Sequence, residues 1–260
     1  MVDFAFIDSG TGGIPYLTHL LEKLPSANCV YVGDTANFPY GEKSHEEIVK
    51  CVLALADKII KKFNPSVFIV ACNTMSVNTL DVLREAFPET QFVGTVPAIK
   101  VAGDISKKKC IGLLATNSTV NHPYNQDLKN HFASDCKLVL RGDPDLISFI
   151  EHKSFNANDN EIEAAATPAV NYFREQGCDV IILGCTHFLN IAEHIQNVAG
   201  SEIKVVDSRE GVVNRAISLC KPCGSNDNSV LYVTGFSTKT DEKEYIDICE
   251  RNNLKFGGIL

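Results

Sequence analysis

The chain has 260 residues, which is enough for one or two domains with a buried core of their own. It carries 24 basic and 32 acidic side chains, a formal net charge of −8, and its longest basic run is only Lys107–Lys109. This acidic balance argues against nucleic acid or an anionic membrane surface as the main partner. With 45% hydrophobic and 22% charged residues, the composition is that of a folded globular protein.

The apolar stretch at the beginning of the chain is too short and too acidic for a signal peptide, and it lacks the basic segment with which such a peptide starts. Uninterrupted apolar runs elsewhere fall well below the ~18 residues that a membrane-spanning helix needs. We therefore expect a cytoplasmic protein with no membrane partner. Its ten cysteines are then expected to be mostly reduced, and most of them to serve as small buried hydrophobic residues.

Short runs rich in Val, Ile, Leu and Phe recur along the chain and predict strands that are buried on both faces of a parallel sheet. The predicted strands are Phe4–Ile7, Cys29–Val32, Val67–Ala71, Phe92–Val93, Ile111–Ala115, Leu138–Leu140, Val180–Leu183, Ile203–Val206 and Val230–Val233.

Helical patterns lie between these runs. The clearest is Ser44–Phe63, where apolar residues recur at helical spacing after Ser44 as N-cap and Glu47 three residues on. Asn160–Glu175, Gly211–Leu219 and Thr240–Arg251 show weaker versions. Strand and helix alternate throughout, which predicts an α/β fold.

A weak internal repeat divides the chain. Residues Val67–Thr74 resemble Val180–His187, since each is an apolar strand followed by a small residue, a cysteine and polar residues. We therefore predict two similar doubly wound domains with mainly parallel sheets. Residues 1–97 plus 207–260 form the first, and residues 98–206 form the second.

Ligands of open α/β sheets bind beyond the carboxyl ends of the strands, so the residues that follow each strand are the candidates for function. The first strand leads into the glycine-rich segment Asp8–Gly13, which fits neither the dinucleotide fingerprint nor a P-loop. Its backbone N–H groups suit a carboxylate or phosphate, and an ordinary tight turn is the equal alternative. After the second strand, Tyr40 and the Gly41 N–H are candidate substrate contacts, or else part of a surface turn.

Cys72 and Cys185 both follow a predicted strand at matching places in the repeat. A helix N-terminus at such a junction favours the thiolate. Either cysteine alone is typical of a small buried residue, but the repetition favours a chemical role. Cys220 and Cys223 form a C-x-x-C pair that suggests redox chemistry or zinc binding. A single pair supplies only two ligands and ends a helical pattern, so we predict neither that role nor any metal site.

Five motifs in this order resemble the glutamate racemases of the aspartate/glutamate racemase superfamily, and together they span most of the chain. They are Asp8-Ser9-Gly10-x-Gly12-Gly13, Gly33-Asp34 with Pro39-Tyr40-Gly41, Ala71-Cys72-Asn73-Thr74, Ala115-Thr116-x-x-Thr119, and Leu183-Gly184-Cys185-Thr186-His187.

The resemblance implies two α/β domains with the active site in the cleft between them, and an enzyme that interconverts L- and D-glutamate without a cofactor or metal. D-glutamate would supply peptidoglycan synthesis, and the enzyme would form a homodimer. It also implies that Cys72 and Cys185 are the catalytic acid/base pair, with Asp8 and His187 assisting them. The implied substrate-binding residues are Asp8, Ser9, Tyr40, Gly41, Asn73, Thr74, Thr116, Thr119, Thr186 and His187.

In some members an acidic residue supports one cysteine, and Glu151 is the nearest candidate in this chain. Three alternatives stay open at this point. The chain is another racemase of the superfamily, of the aspartate or hydantoin type; or it binds an amino acid without turnover; or it is a thiol–disulfide oxidoreductase built on Cys220 and Cys223.

Overall fold

The computed structural model describes residues 2–220, 229–236 and 239–260. It divides into two compact units, Met1–Thr95 with Arg209–Leu260, and Val96–Ser208. The predicted domains are 1–97 with 207–260, and 98–206. Their two boundaries lie about two residues from the boundaries of the compact units.

Ten strands run through the described residues. In chain order they are β1 (Phe4–Asp8), β2 (Cys29–Gly33), β3 (Val67–Val70), β4 (Gln91–Gly94), β5 (Cys110–Ala115), β6 (Lys137–Gly142), β7 (Val180–Leu183), β8 (Lys204–Val206), β9 (Val230–Val233) and β10 (Lys255–Ile259). All nine predicted strands are present with small differences at their ends. β10 is new, because its alternation of exposed and half-buried residues and its two glycines lack the continuous apolar run on which the prediction relied.

Eleven α-helices connect the strands in the same described residues. They are α1 (Ile14–Lys23), α2 (His45–Phe63), α3 (Asn73–Ala86), α4 (Ile99–Ile105), α5 (Asn117–Asn121), α6 (Tyr124–Phe132), α7 (Pro144–His152), α8 (Asp159–Glu175), α9 (Ala192–Ala199), α10 (Arg209–Leu219) and α11 (Lys239–Arg251). None of the helices described is both long and apolar enough to cross a bilayer.

The predicted start of α2 is confirmed in atomic detail. The Ser44 side chain accepts a hydrogen bond from Glu47 N, and the Glu47 carboxylate accepts one from Ser44 N at 2.9 Å, which is a complete capping box. The helix ends at Asn64, which takes the left-handed conformation with a φ of 46°. Ile48, Val52, Ala56 and Ile59 fall on one buried face, as their spacing predicts.

The first unit is built on a six-stranded sheet in the order β10-β9-β2-β1-β3-β4 among the described strands, and every pairing in it is parallel. β1 lies near its centre, and all five of its residues are buried. The carboxyl ends of β2, β1 and β3 are therefore neighbours, and the segments that follow them emerge side by side.

The second unit contains a four-stranded parallel sheet in the order β6-β5-β7-β8. β5 and β7 are adjacent and fully buried. Apolar side chains such as Ile111, Leu113 and Ile182 make up a separate core in this unit. The α/β class with parallel sheets is thus confirmed.

Candidate active site

In the first unit, Asp8 ends the buried strand β1 and is itself wholly buried. Its carboxylate Oδ2 accepts a hydrogen bond from Gly13 N at 2.8 Å and lies 3.3 Å from the Tyr31 hydroxyl. Gly13 is the N-cap of α1, so the negative charge sits where the helix dipole stabilises it. Ser9, the next residue, is also buried.

Cys72 follows β3 directly and is the N-cap residue of α3. Its side chain is 6% exposed, and its backbone oxygen accepts a hydrogen bond from Ser76 N at 2.9 Å. Asn73 and Thr74 form the first turn of the helix and are buried as well. The sulfur is therefore held at a helix N-terminus, as the sequence predicts.

Asn73 carries the clearest sign that this end of the sheet holds a ligand. Its side-chain amide Nδ2 is buried and has no hydrogen-bond partner among the described residues. A buried amide donor without a partner costs free energy, and an oxygen of a bound molecule would satisfy it. A carboxylate oxygen is well suited to that position because it accepts hydrogen bonds without donating any.

The loop after β2 is partly exposed at Ala36 and Glu42, but Asp34 and Tyr40 are buried and form a polar cluster beneath it. Asp34 is 1% exposed and accepts hydrogen bonds from the hydroxyl of Tyr40, from Thr234 Oγ1 at 2.7 Å and from Asn37 Nδ2, which lies 3.1 Å and 3.0 Å from its two carboxylate oxygens. Burial and the Asp34 charge raise the pKa of Tyr40 far above its usual value, so this hydroxyl stays protonated and donates to Asp34. The cluster fixes the Tyr40–Gly41 turn.

In the second unit, Thr116 follows β5 and caps α5. Its side chain accepts a hydrogen bond from Thr119 N at 3.1 Å, and the two hydroxyls are 3.0 Å apart. Thr119 is fully buried, and Asn125 donates to its backbone oxygen. The two threonines named by the motif are thus brought together at the carboxyl end of the strand.

β7, the neighbour of β5, ends two residues before Cys185. The segment after Cys185 departs from the predicted helix: Thr186–Ile191 form a 3₁₀ helix, and α9 begins only at Ala192. This tight turn brings the buried His187 back beside the cysteine. His187 Nδ1 lies 3.6 Å from Cys185 Sγ.

The other ring nitrogen of His187 faces Glu151, which lies near the end of α7. Nε2 and the Glu151 carboxylate are 2.9 Å apart, and both side chains are nearly buried. Glu151, His187 and Cys185 therefore form a continuous chain of polar contacts. A carboxylate on one nitrogen fixes the orientation of the ring and leaves Nδ1 aimed at the sulfur.

Burial by itself would lower the pKa of His187, but the hydrogen bonds that the protonated ring makes to Cys185 and Glu151, and the negative charges of these two groups, outweigh that effect. The net effect raises the pKa well above its ordinary value. His187 is therefore an imidazolium near neutral pH. A cationic imidazole beside a buried sulfur is the environment in which reactive cysteines occur.

The described residues contain no group of three or more His, Cys, Asp or Glu side chains arranged to hold a metal ion. Cys220 is buried and lies 4.0 Å from the backbone oxygen of Asp3. Cys223, the other cysteine of the C-x-x-C pair, lies outside the described residues.

Some residues that shape these ends of the sheets carry no signal of function in the sequence. Tyr31 lies inside strand β2, and its hydroxyl contacts the Asp8–Gly13 segment. Thr234 follows β9 and reaches Asp34 across about 200 residues of chain. These contacts arise from the strand order, which places β9 beside β2 and β2 beside β1, and the sequence alone does not reveal that order.

A family model described as Asp/Glu/Hydantoin racemase matches residues 16–216. The chain is 40% identical over 259 residues to a glutamate racemase of Treponema pallidum, covering 99% of this chain and 96% of the relative. It is 36% identical over 232 residues to a glutamate racemase of Shewanella loihica, covering 87% and 85%. The crystal structure of Escherichia coli glutamate racemase in complex with L-glutamate and the activator UDP-MurNAc-ala matches with a TM-score of 0.87 at 28% identity, covering 100% of this chain and 98% of that one. The chain therefore belongs to the Asp/Glu/hydantoin racemase family, and the resemblance to its glutamate racemases is confirmed.

Proposed function

We propose that the chain interconverts L- and D-glutamate, with Cys72 and Cys185 as the two acid/base groups. The observation that carries this proposal is the buried chain of contacts from Glu151 through His187 to Cys185. It places beside one sulfur an imidazole whose raised pKa favours the protonated form, so His187 donates a proton to the thiolate and then, as the neutral ring, takes one back from the thiol. Cys72 at the N-terminus of α3 supplies the matching group of the other unit.

Racemisation requires that the α-proton leave from one side of the carbon and that a proton return from the other. One sulfur begins as a thiolate and takes the α-proton, while the other begins as a thiol and gives its proton to the opposite side. After the reaction their protonation states are exchanged. The reverse direction, or proton exchange with water, restores the starting state.

In this proposal each catalytic sulfur is assisted by one neighbouring residue. His187 exchanges a proton with Cys185, and Glu151 stabilises its protonated form, while Asp8 assists Cys72 from the adjacent strand end. The proposed substrate contacts are Asp8, Ser9, Tyr40, Gly41, Asn73, Thr74, Thr116, Thr119, Thr186 and His187. Negative charge that builds up on the substrate carboxylate is stabilised by hydroxyl and amide donors of this set, among them Asn73 Nδ2.

The proposal invokes no cofactor, metal or nucleic acid. It makes glutamate the small-molecule partner, and the E. coli relative crystallised with L-glutamate supports that choice. That relative also carries UDP-MurNAc-ala, a muramic acid derivative, which supports peptidoglycan synthesis as the use of D-glutamate. We also propose a cytoplasmic location, where thiols remain reduced. A homodimer stays a prediction.

The test is deuterium incorporation at the α-carbon of glutamate in D₂O, followed by NMR together with the optical rotation of the product. We expect exchange and racemisation from either enantiomer with the unmodified chain. Cys72→Ala and Cys185→Ala should each abolish racemisation while retaining the far-UV circular dichroism spectrum. Cys249→Ala and Cys136→Ala, which remove one other buried thiol from each unit, are the matched controls.

Absence of exchange with the unmodified chain would leave an amino-acid-binding protein without turnover. Faster exchange with aspartate or a hydantoin than with glutamate would show that the chain catalyses another reaction of the family. Full activity in either Cys72→Ala or Cys185→Ala would contradict the use of two thiols.

A further inference from the structure

The hydroxyl of Tyr31 lies among three polar atoms of the segment between β1 and α1. It is 2.9 Å from Gly10 O, 3.1 Å from Gly13 N and 3.3 Å from Asp8 Oδ2. The side chain is wholly buried in β2, and its ring stacks on Phe6 with centroids 6.5 Å apart. The ring thus holds the hydroxyl in one place beneath the segment.

A phenol has one proton to donate and lone pairs to accept with. Gly10 O only accepts, and it is the nearer of the two acceptors, so it receives the proton of Tyr31. The oxygen of Tyr31 in turn accepts from Gly13 N, whose hydrogen also faces Asp8 Oδ2 at 2.8 Å. The hydroxyl therefore closes the turn from Gly10 to Gly13 and links it to the Asp8 carboxylate.

At Gly13 this turn packs directly against the end of the neighbouring strand β3. A Cβ on Gly13 would lie 2.8 Å from Ala71 O and 3.0 Å from the Tyr31 hydroxyl, so the backbone at this point is enclosed between the two. Ala71 immediately precedes Cys72, and Ala71 N donates to Ile7 O at 2.8 Å. Tyr31 is thus in contact with the segment that carries Asp8, and that segment is packed on the strand end that carries Cys72.

We propose that Tyr31 is a positioning residue, whose hydroxyl holds the Asp8 carboxylate and the Gly10–Gly13 turn in place beside the strand end of Cys72. The proposal rests on the proposed function, in which Asp8 assists Cys72. A phenylalanine would supply the same ring to the core. A buried hydroxyl costs free energy unless it is hydrogen-bonded, and here each of its bonds goes to the Asp8–Gly13 segment.

The experiment is a double-mutant cycle on glutamate racemisation with Tyr31→Phe, Asp8→Asn and the double variant. Tyr31→Phe is expected to lower kcat about tenfold, which corresponds to the loss of one well-placed hydrogen bond. In the Asp8→Asn background the same change is expected to lower kcat less than about twofold, because the group that Tyr31 positions is already neutral.

A pH profile supplies the readout that a purely structural role would not change. Without the hydroxyl the Gly10–Gly13 turn is less well fixed, so the hydrogen bond that Gly13 N donates to Asp8 Oδ2 is expected to weaken. A carboxylate whose donor is weakened favours its protonated form, so the acid limb of kcat/KM in Tyr31→Phe is expected to move to higher pH. Tyr172→Phe, which removes a hydroxyl bond to Leu140 O in the second unit, is the matched control and should behave as the unmodified chain does.

The outcomes separate the two proposals. An unmodified chain that does not racemise glutamate contradicts the proposed function. If the unmodified chain is active, equal fold losses for Tyr31→Phe in both backgrounds assign the hydroxyl a structural role and overturn the positioning proposal. An unchanged kcat and pH profile in Tyr31→Phe, or a variant that fails to fold by circular dichroism, overturns it as well.

Discussion

His187 Nε2 lies 2.9 Å from the Glu151 carboxylate, and both side chains are almost fully withdrawn from water. A buried ion pair is costly to form and stabilises a fold weakly on balance. The presence of this buried pair is therefore better explained by a role in function than by a contribution to the stability of the fold. Its consequence is a histidine that remains charged next to Cys185.

If Cys185 acts as proposed, Glu151→Gln should slow the step in which that sulfur gives or takes a proton. The amide is neutral, so one of the charges that raise the pKa of His187 disappears and that pKa falls. We expect kcat to drop about tenfold and the alkaline limb of the pH profile to move to lower pH. Glu175→Gln, at an exposed site at the end of α8, is the control. An unchanged alkaline limb would show that Glu151 does not influence the proton transfer.

The raised pKa of His187 also predicts how stability depends on pH. The folded chain binds this proton more tightly than the unfolded chain does. The resulting stabilisation is complete below the unfolded value of about 6.5 and is lost as pH rises through the folded pKa. Urea unfolding between about pH 6 and 8.5 should show this loss, and His187→Asn should flatten it. His131→Asn, at an exposed position, should keep the slope of the unmodified chain.

Two glycines should respond in opposite ways to the same substitution. A Cβ on Gly112, in the buried strand β5, would lie 2.4 Å from the ring of Phe173, whereas a Cβ on Gly211 in α10 meets nothing within 4 Å. Gly112→Ala should destabilise the chain by ~1–3 kcal/mol through overpacking. Gly211→Ala should stabilise it by about 0.5–1 kcal/mol because alanine suits a helix better. Calorimetric unfolding measures both, and equal shifts would contradict the packing of α8 on β5.

Sequence patterns predicted most of the strands because strands buried on both faces read as continuous apolar runs. β10 lies at the edge of its sheet and has no such run, so it was missed. The 3₁₀ helix at Thr186–Ile191 was missed for a different reason. Its apolar residues fit an α-helix equally well, and the spacing of such a short segment does not distinguish the two.

For the candidate site, the sequence named residues that follow strands but not those that support them. His187 was named because it ends the Cys185 motif that carries the resemblance, and Glu151 came from the resemblance alone. Tyr31 was not named because a tyrosine inside a strand is typical of a core residue. Asp34 belonged to a quoted motif, yet its link to Thr234 depends on β9 lying beside β2, which periodicity does not reveal.

Thr234→Val should weaken substrate binding more than it slows the chemistry. Thr234 Oγ1 donates to Asp34 at 2.7 Å and accepts from Ala36 N at 3.0 Å, so valine leaves a buried carboxylate with one donor fewer. The Tyr40 turn that Asp34 anchors becomes less well fixed, and we expect KM for glutamate to rise several-fold, on the order of the ~1 kcal/mol that such a bond contributes, with kcat changed less. Thr234→Ser retains the hydroxyl and should restore the original KM. A serine variant as impaired as the valine variant would show that the methyl group, and not the hydrogen bond to Asp34, holds this loop.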